Sequence, residues 1–383
     1  MIRISFVSGV CLLPDAISYS LVCKIQALRL LYGAGFEYRV FSYASNLQDR
    51  NVLIVSGMTE LVMHPFFLAS DLVCYEFGIY YNLFDSIYLL PARIKRLAIY
   101  HNITPENLMD SEDRKAAVRR GLQQRANLFF CDHVAADSAY NREDLIQYGL
   151  PPSKVDVLNL PVDEAYCPAP SFMPPVTPYV EVLFVGRFVP AKGVLDLVEA
   201  VTRLVSRKDC KLRLSLIGDT TFSDHSYINR VNEAIAASGF PASFRFVGSA
   251  SPAELVRYYR EAHILAIPSY HEGYCLPVLE AMSSGCLVVG YNAANLPCIA
   301  SGLGRLVPAG DVRALADAIG DLARSLLLQR GERDNCQIRL DSGTMTIAQY
   351  RAKTTEYLQR FTSAKFAETF GRVLSQKMGV SIN

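Results

Sequence analysis

The chain has 383 residues, more than one core usually organises, so two domains are expected. About half of the residues are apolar and a fifth charged, as in an ordinary folded soluble protein. The formal net charge of +1 gives no reason to expect nucleic acid or an acidic partner.

Ten cysteines form no CxxC pair, and several lie inside apolar runs. That pattern fits neither a metal framework nor a disulfide scaffold, and suggests buried free thiols in a reducing cytoplasm. The start, Met1-Ile-Arg-Ile-Ser-Phe-Val, enters a strand directly, without the basic and long apolar regions of a signal peptide. No apolar run reaches the roughly 18 residues needed to span a membrane.

In chain order, Ile2–Val7 reads as a buried strand, Ser8–Tyr19 as a loop and Leu21–Leu31 as a helix that stops at Gly33 and Gly35. Tyr38–Tyr43, Val52–Val55, Leu72–Tyr75, Leu97–Tyr100, Phe129–Cys131 and Val134–Asp137 read as further strands with helical patterns between them. Ser138 can cap the next helix, which ends at Gly149. Pro161–Pro178 is proline-rich and reads as a linker. A second alternating series begins at Val180–Val185 and continues through Val194–Val205, Leu212–Ile217, Tyr227–Ala237 and Phe244–Val247. Ser251-Pro-Ala-Glu254 is a capping box. Leu287–Val289 and Leu306–Val307 are short strands, Asp311 caps a helix to about Leu327, and Thr344–Met378 shows only helical periodicity. Strands alternating with helices imply parallel sheets covered on both faces. The expected domains are 1–165, 178–345 and a helical segment 346–383. Open sheets of this kind bind ligands at the carboxyl ends of their strands, which places a cleft between the two halves.

The most informative stretch is Ser269–Gly285. It follows the strand-like run His263–Pro268, and Pro277 suits the first position of a helix that Gly285 would stop. Free amides at such a helix start favour an anion, phosphate above all. Glu272 lies in the loop and Glu280 about a turn inside the helix. Eight positions apart, they would grip two parts of one elongated ligand and not share a proton. Taken alone, such a pair is ordinarily a loop acid and a helix acid.

The spelling Glu-Gly-Tyr-Cys-Leu-Pro-Val-Leu-Glu resembles the signature of the family 4 retaining glycosyltransferases, which have the GT-B fold of two Rossmann-like domains facing across a cleft. The resemblance implies that Glu272 binds the donor sugar hydroxyls and Glu280 the ribose hydroxyls. It implies that amides around Tyr274, Cys275 and Leu276 meet the diphosphate. The family often has Phe and Gly where this chain has Tyr274 and Cys275. Gly186-Arg-Phe-Val-Pro-Ala-Lys-Gly193 is similar to the family's diphosphate motif, with Gly186 allowing close backbone approach and Arg187 and Lys192 supplying cations. Phe246-Val-Gly248 lies between the two motifs, as in the family, and Gly248 is expected at the donor. In Tyr100-His-Asn-Ile-Thr-Pro105, the resemblance places His101 near the donor sugar at the end of a first-domain strand, facing the cleft. The first loop departs from the family: where a Gly-Gly pair is usual, this chain has only Gly9, and Asp15 would face the acceptor. A second departure is Cys298 after Leu-Pro, where the family commonly has an acid.

The resemblance implies a hexosyltransferase, mannose favoured, that needs no metal or other cofactor and acts on a nucleoside-diphosphate sugar donor. The acceptor would be a glycan or a polyprenyl-diphosphate-linked glycan, and the last helix would cross back to the first domain. No GxGxxG follows the first strand, which argues against a dehydrogenase. Two other readings stay open: a two-lobed nucleotide or sugar sensor without catalysis, and a sugar-nucleotide epimerase on a similar fold. Eight basic residues between 93 and 125, among them Arg114, Lys115, Arg119, Arg120 and Arg125, form either a solvated helix face or a patch for anionic membrane on the inner face of the cell membrane.

Overall fold

The computed structural model describes residues 1–167, 177–208, 211–221, 223–328 and 333–380. Half of the proline-rich linker, 168–176, lies outside the described residues, and so does Cys210. The chain divides into two units, Met1–Pro161 with Phe361–Asn383, and Val162–Arg360.

The first unit is a seven-stranded parallel sheet in the order β3-β2-β1-β4-β5-β6-β7. Its strands are β1 (Ile2–Val7), β2 (Phe36–Ser42), β3 (Val52–Ile54), β4 (Leu72–Phe77), β5 (Lys95–Tyr100), β6 (His133–Ala136) and β7 (Val155–Val157). Its helices are α1 (Ala16–Tyr32), α2 (Met58–Met63), α3 (Pro65–Leu68), α4 (Glu112–Gln124), α5 (Ala139–Gln147) and the late α13 (Ser363–Arg372). Helices cover both faces of such a sheet, so its central strands read as near-continuous apolar runs. Every residue of β4 is buried, including Glu76, whose partners appear below.

The second unit repeats the plan with six parallel strands in the order β10-β9-β8-β11-β12-β13. These are β8 (Val180–Val185), β9 (Leu212–Ile217), β10 (Phe244–Gly248), β11 (Ile264–Ile267), β12 (Leu287–Tyr291) and β13 (Gly304–Val307). Helices α6 (Val194–Ser206), α7 (His225–Ala237), α8 (Pro252–Glu261), α9 (Leu276–Ser283), α10 (Leu296–Ala300), α11 (Val312–Leu328) and α12 (Ile347–Leu358) surround them. α6 buries Val194, Leu197, Val198, Val201 and Leu204, the stripe that its helical spacing demands. The Ser251 capping box is formed with Glu254, and Asp311 accepts the Ala314 amide at 2.9 Å.

Four expectations change. Helix α1 starts at Ala16, inside the expected loop, because the Asp15 carboxylate caps it by accepting from Ile17 and Ser18 amides at 3.0 Å. Phe129–Cys131 is not a strand: Arg125–Phe130 continues α4 as a 3-10 turn. The segment after α11 is not purely helical. It holds an antiparallel hairpin, β14 (Gln337–Leu340) with β15 (Gly343–Thr346), whose tip pairs Asp341 N with Gly304 O at 3.0 Å. Finally, the division near the C-terminus falls at Phe361 and not at 346. α12 stays with the second unit, where the Tyr350 hydroxyl donates to Cys286 O at 2.6 Å and the Tyr357 hydroxyl to Ile299 O at 2.9 Å. α13 packs on α1: a Cβ on Gly371 would lie 2.9 Å from Leu31 Cδ1.

Candidate functional site

In the second sheet the strand order reverses between β8 and β11, which are paired neighbours. Ligands of open α/β sheets bind beyond the carboxyl ends of the strands at such a reversal. The loop after β8 carries Gly186, Arg187 and Lys192, and the loop after β11 carries Glu272, Tyr274 and Cys275. The fold therefore sets the two motifs side by side from 80 positions apart.

Close backbone packing locks these loops. A Cβ at Gly193 would lie 2.1 Å from the Pro268 carbonyl oxygen, and its φ of +62° also suits glycine. A Cβ at Gly218 would lie 1.9 Å from the Gly186 oxygen. Tyr270 N donates to Ala191 O at 2.9 Å, tying the first loop to the second, and Gly218 N donates to Gly248 O at 2.9 Å.

Lys192 Nζ donates to Glu272 Oε1 at 2.6 Å, with both side chains largely buried. Burial alone would raise the Glu272 carboxyl, but the Lys192 charge and hydrogen bond outweigh it and hold the group below the usual range. Each charge so satisfies the other. Arg187 is exposed at the end of β8 and has no ion-pair partner among the described residues.

Cys275 precedes α9 with φ +80° and ψ +65°, the left-handed region, and no side chain caps the helix there. A residue with a Cβ thus holds the conformation that glycine would adopt freely. Leu276 opens α9, and Pro277 follows in its first turn, where a missing N–H costs nothing. Tyr274 is buried, and its carbonyl accepts from Asn295 Nδ2 at 2.7 Å. The Asn295 amide donates to Glu272 O at 3.2 Å, so one buried residue clamps both ends of the Glu272–Tyr274 turn.

Glu280 lies one turn inside α9 and accepts from the Tyr259 hydroxyl at 2.7 Å. Burial pushes its carboxyl up to about 7, against the lowering effect of that hydrogen bond. Its neighbour Asp163 pushes in the same direction as burial.

In the first unit, Gly9 follows β1 and packs against the Tyr81 ring, with its carbonyl accepting from Tyr43 N at 3.0 Å. Asp15, exposed, caps α1 through one carboxylate oxygen. His101 follows β5, but its side chain is only 4% exposed. Its Nε2 is 2.9 Å from Glu76 Oε2 and its Nδ1 is 3.2 Å from Asp137 Oδ2. Burial lowers its basicity, but the two acids outweigh burial and lift it to about 9. The basic residues of α4 are mostly neutralised locally: Arg114 by Asp110, Lys115 by Glu112, Arg119 by Glu106 and Glu112, and Arg125 by Asp144. Arg120 stacks on Tyr80, 3.9 Å from the ring centroid.

The structure thus joins Lys192 to Glu272, keeps Arg187 in the same loop as Lys192, and gives Glu280 and His101 partners that the sequence motifs do not contain. Those partners are Tyr259 for Glu280 and Glu76 with Asp137 for His101, while Asn295 joins the two ends of the Glu272–Tyr274 turn. One signal was readable: Glu76 is an acid in an otherwise apolar strand, and a buried acid needs a counter-charge.

Two parallel-sheet domains of this order match the GT-B fold of glycosyltransferases. Sucrose-phosphate synthase from Thermosynechococcus elongatus superposes with a TM-score of 0.71 at 19% identity, covering all of both chains. Anabaena HepE in complex with UDP gives 0.70 at 18% identity, covering 98% of this chain and all of that one. Residues 180–325 match the family model of glycosyl transferases group 1. Relatives include a D-inositol 3-phosphate glycosyltransferase of Corynebacterium jeikeium, 34% identical over 142 residues. That match covers 36% of this chain and only 34% of the relative. The O-antigen chain mannosyltransferase B of Escherichia coli is 25% identical over 319 residues, covering 76% of this chain and 80% of the relative.

Proposed function

We propose that this protein is a retaining glycosyltransferase that moves a hexose, mannose favoured, from a nucleoside-diphosphate sugar to a hydroxyl of a glycan or lipid-linked glycan. The observation that carries the reading is the Lys192–Glu272 ion pair beside the opening of α9, at the strand-order reversal of the group 1 domain. In our reading Arg187 and Lys192 take the charge that builds on the leaving diphosphate, a contact stronger in the transition state than in the ground state. The opening of α9 adds its dipole. Glu272 takes the sugar hydroxyls and Glu280 the ribose. These cations stand where a metal would otherwise be needed, so EDTA should leave turnover unchanged. Within the first unit, Gly9 and His101 follow β1 and β5, and in our reading both serve the donor. The name of the Escherichia coli relative supports mannose and a surface glycan acceptor, and the UDP complex of Anabaena HepE supports a nucleotide donor.

We place the protein in the cytoplasm, touching the inner membrane face through the exposed Tyr88, Leu89, Phe129 and Phe130 and not through the paired arginines of α4. No helix among the described residues is long and apolar enough to cross a membrane. The test of function is a panel of GDP-, UDP- and ADP-sugars. A ligand at 100 times its dissociation constant should stabilise the protein by about 2.7 kcal/mol. The anomeric configuration of any product, read by NMR, then decides retention. A protein that binds one donor and turns over none is a sensor. One that converts the donor without any acceptor is an epimerase.

A further inference from the structure

The carboxyl end of the first sheet holds a buried cluster of four charged side chains. Lys24 of α1 is fully buried, with Nζ 3.0 Å from Glu76 Oε1 and donating to Oε2 at 3.2 Å, and it donates to the Ser20 hydroxyl as well. Glu76 Oε2 faces His101 Nε2, and Asp137, just after β6, faces Nδ1. The other oxygen of Asp137 accepts from Asn141 Nδ2. Asn141 Oδ1 accepts from Asn102 Nδ2 at 2.6 Å, and Asn102 turns the chain with φ +69°.

The chemistry of this ring is constrained. An ionised carboxylate only accepts hydrogen bonds, and a neutral imidazole has a single N–H. A neutral His101 would therefore turn one nitrogen lone pair towards a carboxylate oxygen. Only the imidazolium donates to both acids. The charge count agrees: Lys24 and His101 balance Glu76 and Asp137, and a buried cluster is tolerated when its charges cancel and its hydrogen bonds are made.

We propose that Glu76 and Asp137 are positioning residues that hold His101 as a permanent imidazolium, fixing the charge and the orientation of the turn at the carboxyl end of β5. Lys24 keeps Glu76 ionised, and Asn141 orients Asp137. His101 so provides a constant cation and cannot exchange its proton as a base. Its consequence for turnover rests on the reading of His101 as a donor-site residue, whereas its charge state does not.

The test is 15N NMR of histidine-labelled full-length protein from pH 5.5 to 8.5, with His101 assigned by loss of its signals in His101→Gln. Both ring nitrogens should keep imidazolium shifts up to pH 8. In Asp137→Asn the midpoint should fall by at least one unit, into the scanned range. A neutral tautomer at pH 7, or a wild-type midpoint near 6.5, overturns the proposal. Glu76→Gln leaves Lys24 buried without its counter-charge, so Lys24→Met with Glu76→Gln is the second variant, and it should lower the midpoint too. With GDP-mannose as the probe donor, wild-type kcat should show no His101 limb between pH 6 and 8. Asp137→Asn should lose at least tenfold in kcat across that range, with KM changed less than twofold. A flat profile in Asp137→Asn, with His101 titrating, overturns the positioning role. A wild type that turns over no donor removes the functional reading alone, because the spectra decide the charge state without it.

Discussion

Cys275 is the residue at which local strain and the proposed donor contact meet. Left-handed backbone costs a residue with a Cβ roughly 1–2 kcal/mol. Cys275→Gly removes that strain but loosens the unfolded chain by roughly 0.5–1 kcal/mol. The terms nearly cancel, so Cys275→Gly should melt within a few degrees of wild type and keep its donor-induced stabilisation. Cys275→Val puts a β-branched residue in the same conformation, and both melting temperature and donor stabilisation should drop. Lys192→Ala and Glu272→Ala each strand a largely buried charge and, on the proposed function, remove a contact to the developing charge or the sugar. Each should lower kcat roughly 100- to 1,000-fold, measured by single-turnover transfer. Glu280 adds a pH signature. Its folded-state value of about 7 lies above its ordinary 4.5, so the folded protein holds a proton that the unfolded chain releases. Stability from this group is full below about 4.5 and falls as pH rises through 7. Glu280→Gln should flatten that part of the melting-temperature profile, while any residual slope reports other groups.

At the scale of elements, the loops after β8 and β11 show what a linear reading could and could not reach. Strand–loop–helix units with apolar strands, Pro at a helix start and Gly at its stop are local signals, so most strands and the opening of α9 were legible. The start of α1 was missed because its apolar spacing begins late, and only the Asp15 cap reveals it. Phe129–Phe130 had strand composition, yet it follows α4 without a break. The motif residues Arg187, Lys192 and Glu272 could be named from their spelling. Asn295 could not be tied to the Glu272 turn, because that clamp depends on a packing between loops 21 residues apart. The same packing makes Gly193 and Gly218 intolerant. Gly193→Ala must either move the Pro268 carbonyl or abandon the turn, and Gly218→Ala meets the Gly186 carbonyl in the same way. Both should lose several degrees of melting temperature and most donor affinity, whereas Gly239→Ala, which meets no atom within 4 Å, pays only for its φ of +77°.

At the scale of the whole molecule, the C-terminal residues complete the first unit and not the second. Phe366, Phe370, Val373 and Leu374 are buried. Fully burying a side chain of this kind contributes roughly 1.5–3 kcal/mol, so together they rival the net stability of a domain. Deleting residues 361–383 should unfold the first unit while the second keeps its own transition, read as the loss of one of two calorimetric peaks. A single unchanged transition would show that α13 adds little.

On the ribosome, that arrangement makes the first unit wait. Roughly 200 residues of the second unit emerge before α13, which at about 5–20 residues per second is on the order of 10–40 s. Through that interval the Leu31 face of α1 has no cover, and the later half can finish folding before the earlier one. A chaperone that shields apolar nascent helices would find its binding site here, on a part of the chain that emerges before the second unit and closes after it.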